Sequence, residues 1–415
     1  MKNILWISFL ATWTMPLLAA IRKQHIGKLG IIVPVIKGVE SYKSEDNIDF
    51  YSVRVTNKQL YKEMNVALFN KLNAVIQEFK PDIIHVHGTE KNLAQIQNYL
   101  PNIPVVISIQ GIMMSYKPFA YNFLDINQLA KHKSLKNVLG IGGTKSMYRL
   151  FSKSNRYEAD IFEKGKYFIG RTEWDKANVL FRNKDARYFH GEELLRDEFY
   201  KVACSWSIDN CEKYTILMPS GFNPIKGLHI AIEAVHYLVR YYPQAQLVVP
   251  DIVNSKIKNN TFLERIIGDE YVIYIKSLIK KYKLENNIQL CNRFDTAKMV
   301  EEMQKAHVFL SPSSIDNSPN ILGEASMIGL PIVTTPVGGI LSIFEDNNSC
   351  LFAPAGDAFL MAYKLKQIFD SESLAEKLSK NCNKVAFKRH NTDETAIQYI
   401  EIFKKVFMIE NEKMI

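Results

Sequence analysis

The stretch that most constrains the fold runs from Val308 to Ile340, VFLSPSSIDNSPNILGEASMIGLPIVTTPVGGI. A short apolar run, Val308-Phe309-Leu310, is closed by Ser-Pro-Ser-Ser, the pattern of a buried strand ending in a polar turn. A helical pattern follows from Asn320 to Ile328, with Pro319 expected in its first turn, where the missing N–H is not needed. Gly329 stops the helix, and Pro331 keeps it from resuming. Pro331 to Thr335 reads as the next strand and Pro336 to Gly339 as a glycine-rich turn. Strand, loop, helix, strand is half of a doubly wound sheet, so the chain is expected to be α/β.

Two carboxylates lie in this unit, Asp316 in the loop and Glu324 in the helix, with seven residues between them. A loop leaving the carboxyl end of a parallel strand faces the ligand crevice. The helix after it aims N–H groups at that crevice, which suits an anion such as a diphosphate. A carboxylate there can accept hydrogen bonds from sugar or ribose hydroxyls. Plainer roles are open as well: a solvated face or dipole partner for Glu324, a turn former or helix cap for Asp316.

At 415 residues the chain exceeds one typical core, and two domains are expected. The net charge of +9 fits nucleic acid, an anionic membrane or a phosphorylated ligand, and equally plain solubility. Five cysteines, with no CxxC pair, point to a reducing, cytosolic compartment. No stretch is long and apolar enough for a confident membrane span. Ile4 to Ala20 has some signal-peptide character, but Pro16 interrupts it and a small residue is missing before the expected cut. A buried strand, Ile4 to Phe9, with a helix from Pro16 to Lys23, suits the rest of the chain better.

Gly30 to Val35 reads as a strand, Gly38 to Asn47 as a polar loop, Phe50 to Val55 as an edge strand, and Thr56 to Phe79 as one helix. Ile83 to Thr89 is a strand, Asn92 to Leu100 a helix and Val105 to Ile109 a strand, a repeated βα alternation. Ser115 to Ser154 mixes basic and aromatic residues, as an interfacial segment or a single-strand nucleic-acid binder would. A solvated helix pair, with Gly140, Gly142 and Gly143 marking a turn, fits it as well. Lys166 to Asp175 reads as strand, turn and helix. There Arg171 is placed either to meet a phosphate or to pair with Glu173 or Asp175. Beyond a linker near Val202 to Glu212, strands are expected at Thr215 to Met218, Gln246 to Pro250 and Ile288 to Cys291. Helices are expected at Leu228 to Tyr241, Ala297 to Ala306, Ala358 to Phe387 and Thr392 to Glu410.

Asp316, Glu324-Ala325, Gly329-Leu330-Pro331, Ile332-Val333 and Gly338-Gly339 occur in the order of a known pattern. The stretch resembles the donor-site segment of family-4 retaining glycosyltransferases of the GT-B fold, whose first carboxylate is usually Glu. The resemblance extends back to about Asp82 and points to a polysaccharide-forming branch. It implies two Rossmann-like domains facing a cleft: an acceptor domain at 1–205, a donor domain at 206–390 and a C-terminal crossover helix at 391–415. It implies sugar transfer with retention from a nucleotide sugar, with UDP as the expected nucleotide, to a glycan or lipid-linked acceptor.

By the same resemblance, Lys226-Gly227 binds the donor diphosphate, and Glu324 holds the ribose. Asp316 and the backbone at Ser318, Pro319 and Asn320 hold the sugar. Arg293 follows the strand that frames the nucleobase. His87 and Arg171 lie on the acceptor side. Gln110 stands where many members carry His; it can position a hydroxyl but cannot act as a base. The first βα turn, Phe9 to Pro16, lacks the family's glycines, and Phe222 stands where the family has a cation. No metal or other cofactor is expected. The resemblance also suggests a protein at the inner face of the membrane, in peripheral contact with it. These departures keep a second reading open, a catalytically degenerate homologue that binds nucleotide sugar or scaffolds a partner. A nicotinamide enzyme is disfavoured by the lack of G-x-G-x-x-G after any strand. Nucleic acid is not an expected partner, since no recognised module occurs.

Overall fold

The structure is a computed structural model that describes residues 1, 3–9, 13–24, 27–139, 143–221, 223–250 and 268–412. The chain divides into two compact units. The first is Met1–Ser115, Phe151–Arg196 and Arg389–Ile415; the second is Tyr116–Leu150 and Asp197–Lys388.

The first unit is built on β1 (Asn3–Ile7), β2 (Lys28–Val35), β3 (Ser41–Glu45), β4 (Ile48–Arg54), β5 (Ile83–His87), β6 (Val105–Ser108), β7 (Tyr167–Gly170) and β8 (Arg187–His190). They form one sheet in the order β3-β4-β2-β1-β5-β6-β7-β8, parallel except for β3. The N-terminal apolar run is thus a central strand, paired with β2 and β5. Side chains alternate between its faces with period two. Leu5, Ile7, Ile84 and Val86 join one buried cluster, and Ile4, Trp6, Ile83 and Val106 the other. Apolar runs like these are what a sheet covered on both faces requires. The C-terminal helix, Thr392–Glu412, returns to this unit and buries Tyr399, Phe403 and Val406 in the second cluster. The expected crossover is therefore present.

The second unit is built on β9 (Thr215–Leu217), β10 (Gln246–Val249), β11 (Ile288–Leu290), β12 (Val308–Ser311), β13 (Ile332–Thr334) and β14 (Leu351–Phe352). Their order is β11-β10-β9-β12-β13-β14, all parallel. The chain winds outward from β9 to β11, then returns to β12 and winds the other way. The loops after β9 and β12 therefore flank the point where strand order reverses, the place where doubly wound sheets bind ligands.

Several expectations need correction. Gly38 to Asn47 is not a plain loop, since it contains β3, and β4 is an interior strand. Asp46 and Asn47 both adopt positive φ (51° and 58°), which is the backbone of a two-residue I′ hairpin turn. Thr56 to Phe79 is two helices, Asn57–Leu60 and Val66–Phe79, because Thr56 and Asn65 each cap a new start. Asn92–Tyr99 is a 3₁₀ helix. Pro319 is the cap residue before the helix Asn320–Ile328 rather than part of its first turn. The chain passes between units at Arg196–Asp197 rather than near 205, and Tyr116–Leu150 belongs to the second unit although the sequence suggests the first. Leu10–Thr12, Gly140, Gly142 and Phe222 lie outside the described residues.

Candidate functional site

In the second unit, the loop after β9 ends in a short 3₁₀ turn, Pro224–Lys226, capped by Asn223, whose side chain accepts the Ile225 N–H at 3.1 Å. Gly227 then takes φ +78° and starts the helix Leu228–Leu238. A Cβ on Gly227 would fall 2.1 Å from the Pro312 carbonyl oxygen, so only glycine lets this turn meet the loop after β12. The turn aims Lys226 at that loop. Its Nζ donates to both carboxylate oxygens of Asp316, each at 2.9 Å. Two residues expected in one site, from loops 90 residues apart, thus make a direct ion pair.

The glycine pair fixes Asp316 from the other side. Gly339 N–H donates to the Asp316 carbonyl at 2.9 Å, and a Cβ on Gly338 (φ +53°) would lie 2.0 Å from that oxygen. Asn320–Ile328 begins just beyond, so the Asp316 loop ends at a helix N-terminus. Ser318, Pro319 and Asn320 are half-buried there, while Glu324, in the body of the helix, is buried. Arg293 is set apart from this group. It is exposed and follows β11, the outermost strand, two places from β9.

Sequence reasoning missed Asn122, a buried residue with φ +46°. Its amide donates to the carbonyls of Pro224 (3.1 Å), Ile225 (3.2 Å) and Pro312 (3.3 Å), which ties the two loops together. Its own carbonyl accepts the Nε2 proton of His229 at 2.8 Å. Burial brings the His229 pKa down to about 4. Only the turn propensity of Asn in a left-handed conformation could have signalled Asn122.

In the first unit, strand ends carry a second cluster. His87 ends β5, Gln110 follows β6, Arg171 follows β7 and Glu193 follows β8. Arg171 Nη1 donates to Glu193 Oε2 at 2.5 Å, and its Nη2 lies 3.3 Å from Gln110 Oε1. The Gln110 amide nitrogen donates to Glu193 Oε1 and lies 2.7 Å from His87 Nε2. The Trp13 indole N–H, which can only donate, reaches the same His87 nitrogen at 2.9 Å. Burial by itself pushes the Glu193 carboxyl up; the Arg171 guanidinium, helped by hydrogen bonds, brings it down to about 2. The returning C-terminal segment braces the cluster, with His390 Nδ1 donating to the Glu193 carbonyl at 2.7 Å.

The Arg171 guanidinium pairs with Glu193, and its backbone N–H donates to Asp175 at 2.8 Å. Glu193 and Trp13 were missed. The acidic pair Glu192-Glu193 next to the apolar Leu194-Leu195 was a signal of a buried carboxylate. Two more acids hold the turn that presents Gln110. Glu90 accepts the Gly111 N–H, and Glu158 accepts those of Met113 and Met114. Burial raises the Glu158 pKa to about 8. Among the described residues, no cluster of three or more His, Cys, Asp or Glu is arranged to hold a metal ion.

Both units resemble known proteins. Residues 209–385 match a family model described as glycosyl transferases group 1, and residues 4–134 one described as glycosyl transferase 4-like. The amylovoran biosynthesis glycosyltransferase AmsK of Erwinia amylovora is 28% identical over 155 residues, 36% of this chain and 34% of that protein. At that identity the chain spans only 34% to 38% of its relatives' own length. The N-acetyl-alpha-D-glucosaminyl L-malate synthase of Bacillus anthracis is 21% identical over 369 residues, 87% of this chain and 84% of that protein. Among solved structures, Anabaena HepE in complex with UDP and glucose superposes with a TM-score of 0.67 at 14% identity, covering 98% of this chain and 100% of that one. The two matched segments fall in sequence on a chain with the GT-B fold, two parallel-sheet units and a returning C-terminal helix, and both segments are similar to glycosyltransferases of the group-1 and 4-like kind.

Proposed function

We propose that this glycosyltransferase moves a sugar from a nucleotide sugar, with UDP as the nucleotide, to a glycan or lipid-linked acceptor, with retention, in surface polysaccharide synthesis. The observation that carries the reading is the Lys226–Asp316 pair at the point of strand reversal between β9 and β12. A cation, a carboxylate and a helix N-terminus converge there, which is the set a diphosphate-linked sugar requires. The name of AmsK and the UDP and glucose bound to HepE support the reading.

In this mechanism the donor diphosphate draws Lys226 from Asp316, and the N–H groups opening the helix Asn320–Ile328 share its charge. Glu324 holds the ribose, while Asp316 and the backbone at Ser318 to Asn320 hold the sugar. Arg293 contributes at the nucleobase edge. The bond from the anomeric carbon to the phosphate oxygen breaks, and the bond to the acceptor oxygen forms on the same face. The acceptor proton ends on the departing diphosphate. Asp316, released from Lys226, stabilises positive charge developing on the sugar, an interaction stronger in the transition state than in the ground state. His87, Gln110 and Arg171 serve the acceptor side, with Gln110 a positioning residue whose amide is oriented by Glu193 and Arg171. Lys226 and the helix terminus supply the charge neutralisation, so the reading calls for no metal. We place the reaction on the cytoplasmic face of the membrane.

A thermal-shift screen of nucleotide sugars tests the reading. A donor that binds the folded state must raise its melting temperature. Stabilisation by one UDP-sugar, with UDP release on adding acceptor, is expected; no shift with any nucleotide sugar overturns it.

A further inference from the structure

The segment that crosses into the second unit carries an apolar face that is exposed among the described residues. Ile126, Leu135, Val138 and Leu139 are all more than half exposed, Val138 and Leu139 reaching 67% and 70%. Leu135, Val138 and Leu139 stand three and four residues apart around one helical turn, so they share a side. This exposure does not come from a loose loop. On one flank Asn122 is bonded to Pro224 and Ile225, and Ser314 Oγ donates to the Phe119 carbonyl at 2.8 Å. Ser134 Oγ donates to the Gly268 carbonyl at 2.7 Å, and on the far flank the Thr144 N–H reaches Glu270 at 3.0 Å. The fold holds these aliphatic side chains out in water, at the cost of their burial.

Charge identifies what covers them. Residues 116–150 hold six Lys and Arg against one Asp, a net +5 of the chain's +9. Lys131 and Lys133, between the two apolar groups, are exposed. Like charge of this size opposes pairing with a second copy. Phe119 and Phe123 are exposed aromatics at the start of this segment, but from Ile126 to Leu139 the exposed apolar groups are aliphatic and offer no platform for base stacking. Aliphatic side chains beside lysines are the composition that enters the boundary between headgroups and acyl chains. We propose that Ile126 to Leu139 forms a foot that docks the protein reversibly on an anionic lipid bilayer. Leu135, Val138 and Leu139 enter the interface, and Lys131 and Lys133 meet lipid phosphates. Through Asn122 the foot is joined to the loops that carry Lys226 and Asp316. Its meaning for a lipid-linked acceptor rests on the proposed function, but the docking itself does not.

Vesicle flotation of the full chain tests this. With phosphatidylcholine vesicles containing phosphatidylglycerol, the protein is expected to co-float at low salt and to be released at high salt. Lys131→Glu with Lys133→Glu should lower the partition coefficient about tenfold or more. Leu135→Ser, Val138→Ser and Leu139→Ser together should abolish flotation, with an unchanged melting temperature showing that the fold is intact. Equal recovery with neutral and anionic vesicles overturns the proposal, as does undiminished flotation of the triple variant. So does a dimer in sedimentation that the triple variant breaks, with no vesicle binding, since a second copy then covers the face. Donor affinity measured on the same samples reports separately on the catalytic reading.

Discussion

Lys226→Ala tests the core of the proposed donor site, and the structure sets its magnitude. Lys226 donates to both oxygens of Asp316, whose side chain is only 12% exposed. Removing the ammonium has two separable effects. It deletes a charge-assisted bond to the donor diphosphate, worth about 1.5–3 kcal/mol, or about ten- to a hundredfold in Kd. It also leaves a largely buried carboxylate without its partner, at about 1–3 kcal/mol of stability, which lowers the melting temperature by about 2–10 °C for a domain of this size. The double variant Lys226→Ala with Asp316→Asn separates the two, because a neutral amide no longer needs the ammonium. It should regain stability but not donor affinity. Calorimetry with the UDP-sugar found by screening reads the first effect, and thermal unfolding reads the second. Unchanged donor affinity in a folded Lys226→Ala protein would refute the phosphate assignment.

Asp316→Asn frees Lys226 and removes the transition-state carboxylate. Steady-state kinetics should show kcat down by about 10²-fold with donor affinity unchanged or slightly tighter; a normal kcat makes Asp316 a loop residue only. Gly227→Ala puts a Cβ where the Pro312 carbonyl oxygen already lies, 2.1 Å away, and forces a left-handed alanine. A loss of about 2 kcal/mol or more is expected, together with loss of donor binding; an unchanged melting curve counts against the geometry. Glu158→Gln tests a buried acid whose pKa rises from 4.5 to about 8 on folding. The folded state holds this proton more tightly, so its contribution to stability is full below about pH 4.5 and is lost as pH rises to about 8. Melting temperatures of wild type and variant should therefore diverge across that window, with wild type losing ground as pH rises; parallel curves would contradict the assignment.

The site around Lys226 and Asp316 was legible because its signals are local. The helix Asn320–Ile328 and the Gly329 stop, at φ +91°, lie where the pattern puts them. Gly227 and Gly338 are glycine for reasons of close approach that a motif encodes without stating. The pairing of Lys226 with Asp316 needed only the expectation that loops at the strand reversal converge. The cluster of His87, Gln110, Arg171 and Glu193 was less legible. Arg171 has acids two and four residues away, and the fold also pairs it with Glu193, 22 residues on, because β7 and β8 run in register. Apolar periodicity joined Leu60, Met64, Leu68, Leu72 and Val75 into one helix. The caps at Thr56 and Asn65 were readable signals that outweighed that periodicity. Assignment of Tyr116–Leu150 to the second unit depends on contacts such as Asn122 with Pro224, more than 100 residues apart, which no local pattern carries.

The most direct test of the account is NMR of the purified protein with its UDP-sugar and a glycan or lipid-linked acceptor, following UDP release and the anomeric configuration of the product. The account predicts acceptor-dependent release of UDP and a new linkage with the donor's anomeric configuration, with Lys226→Ala slowing both. An inverted linkage, or no transfer from a UDP-sugar that binds, would contradict it.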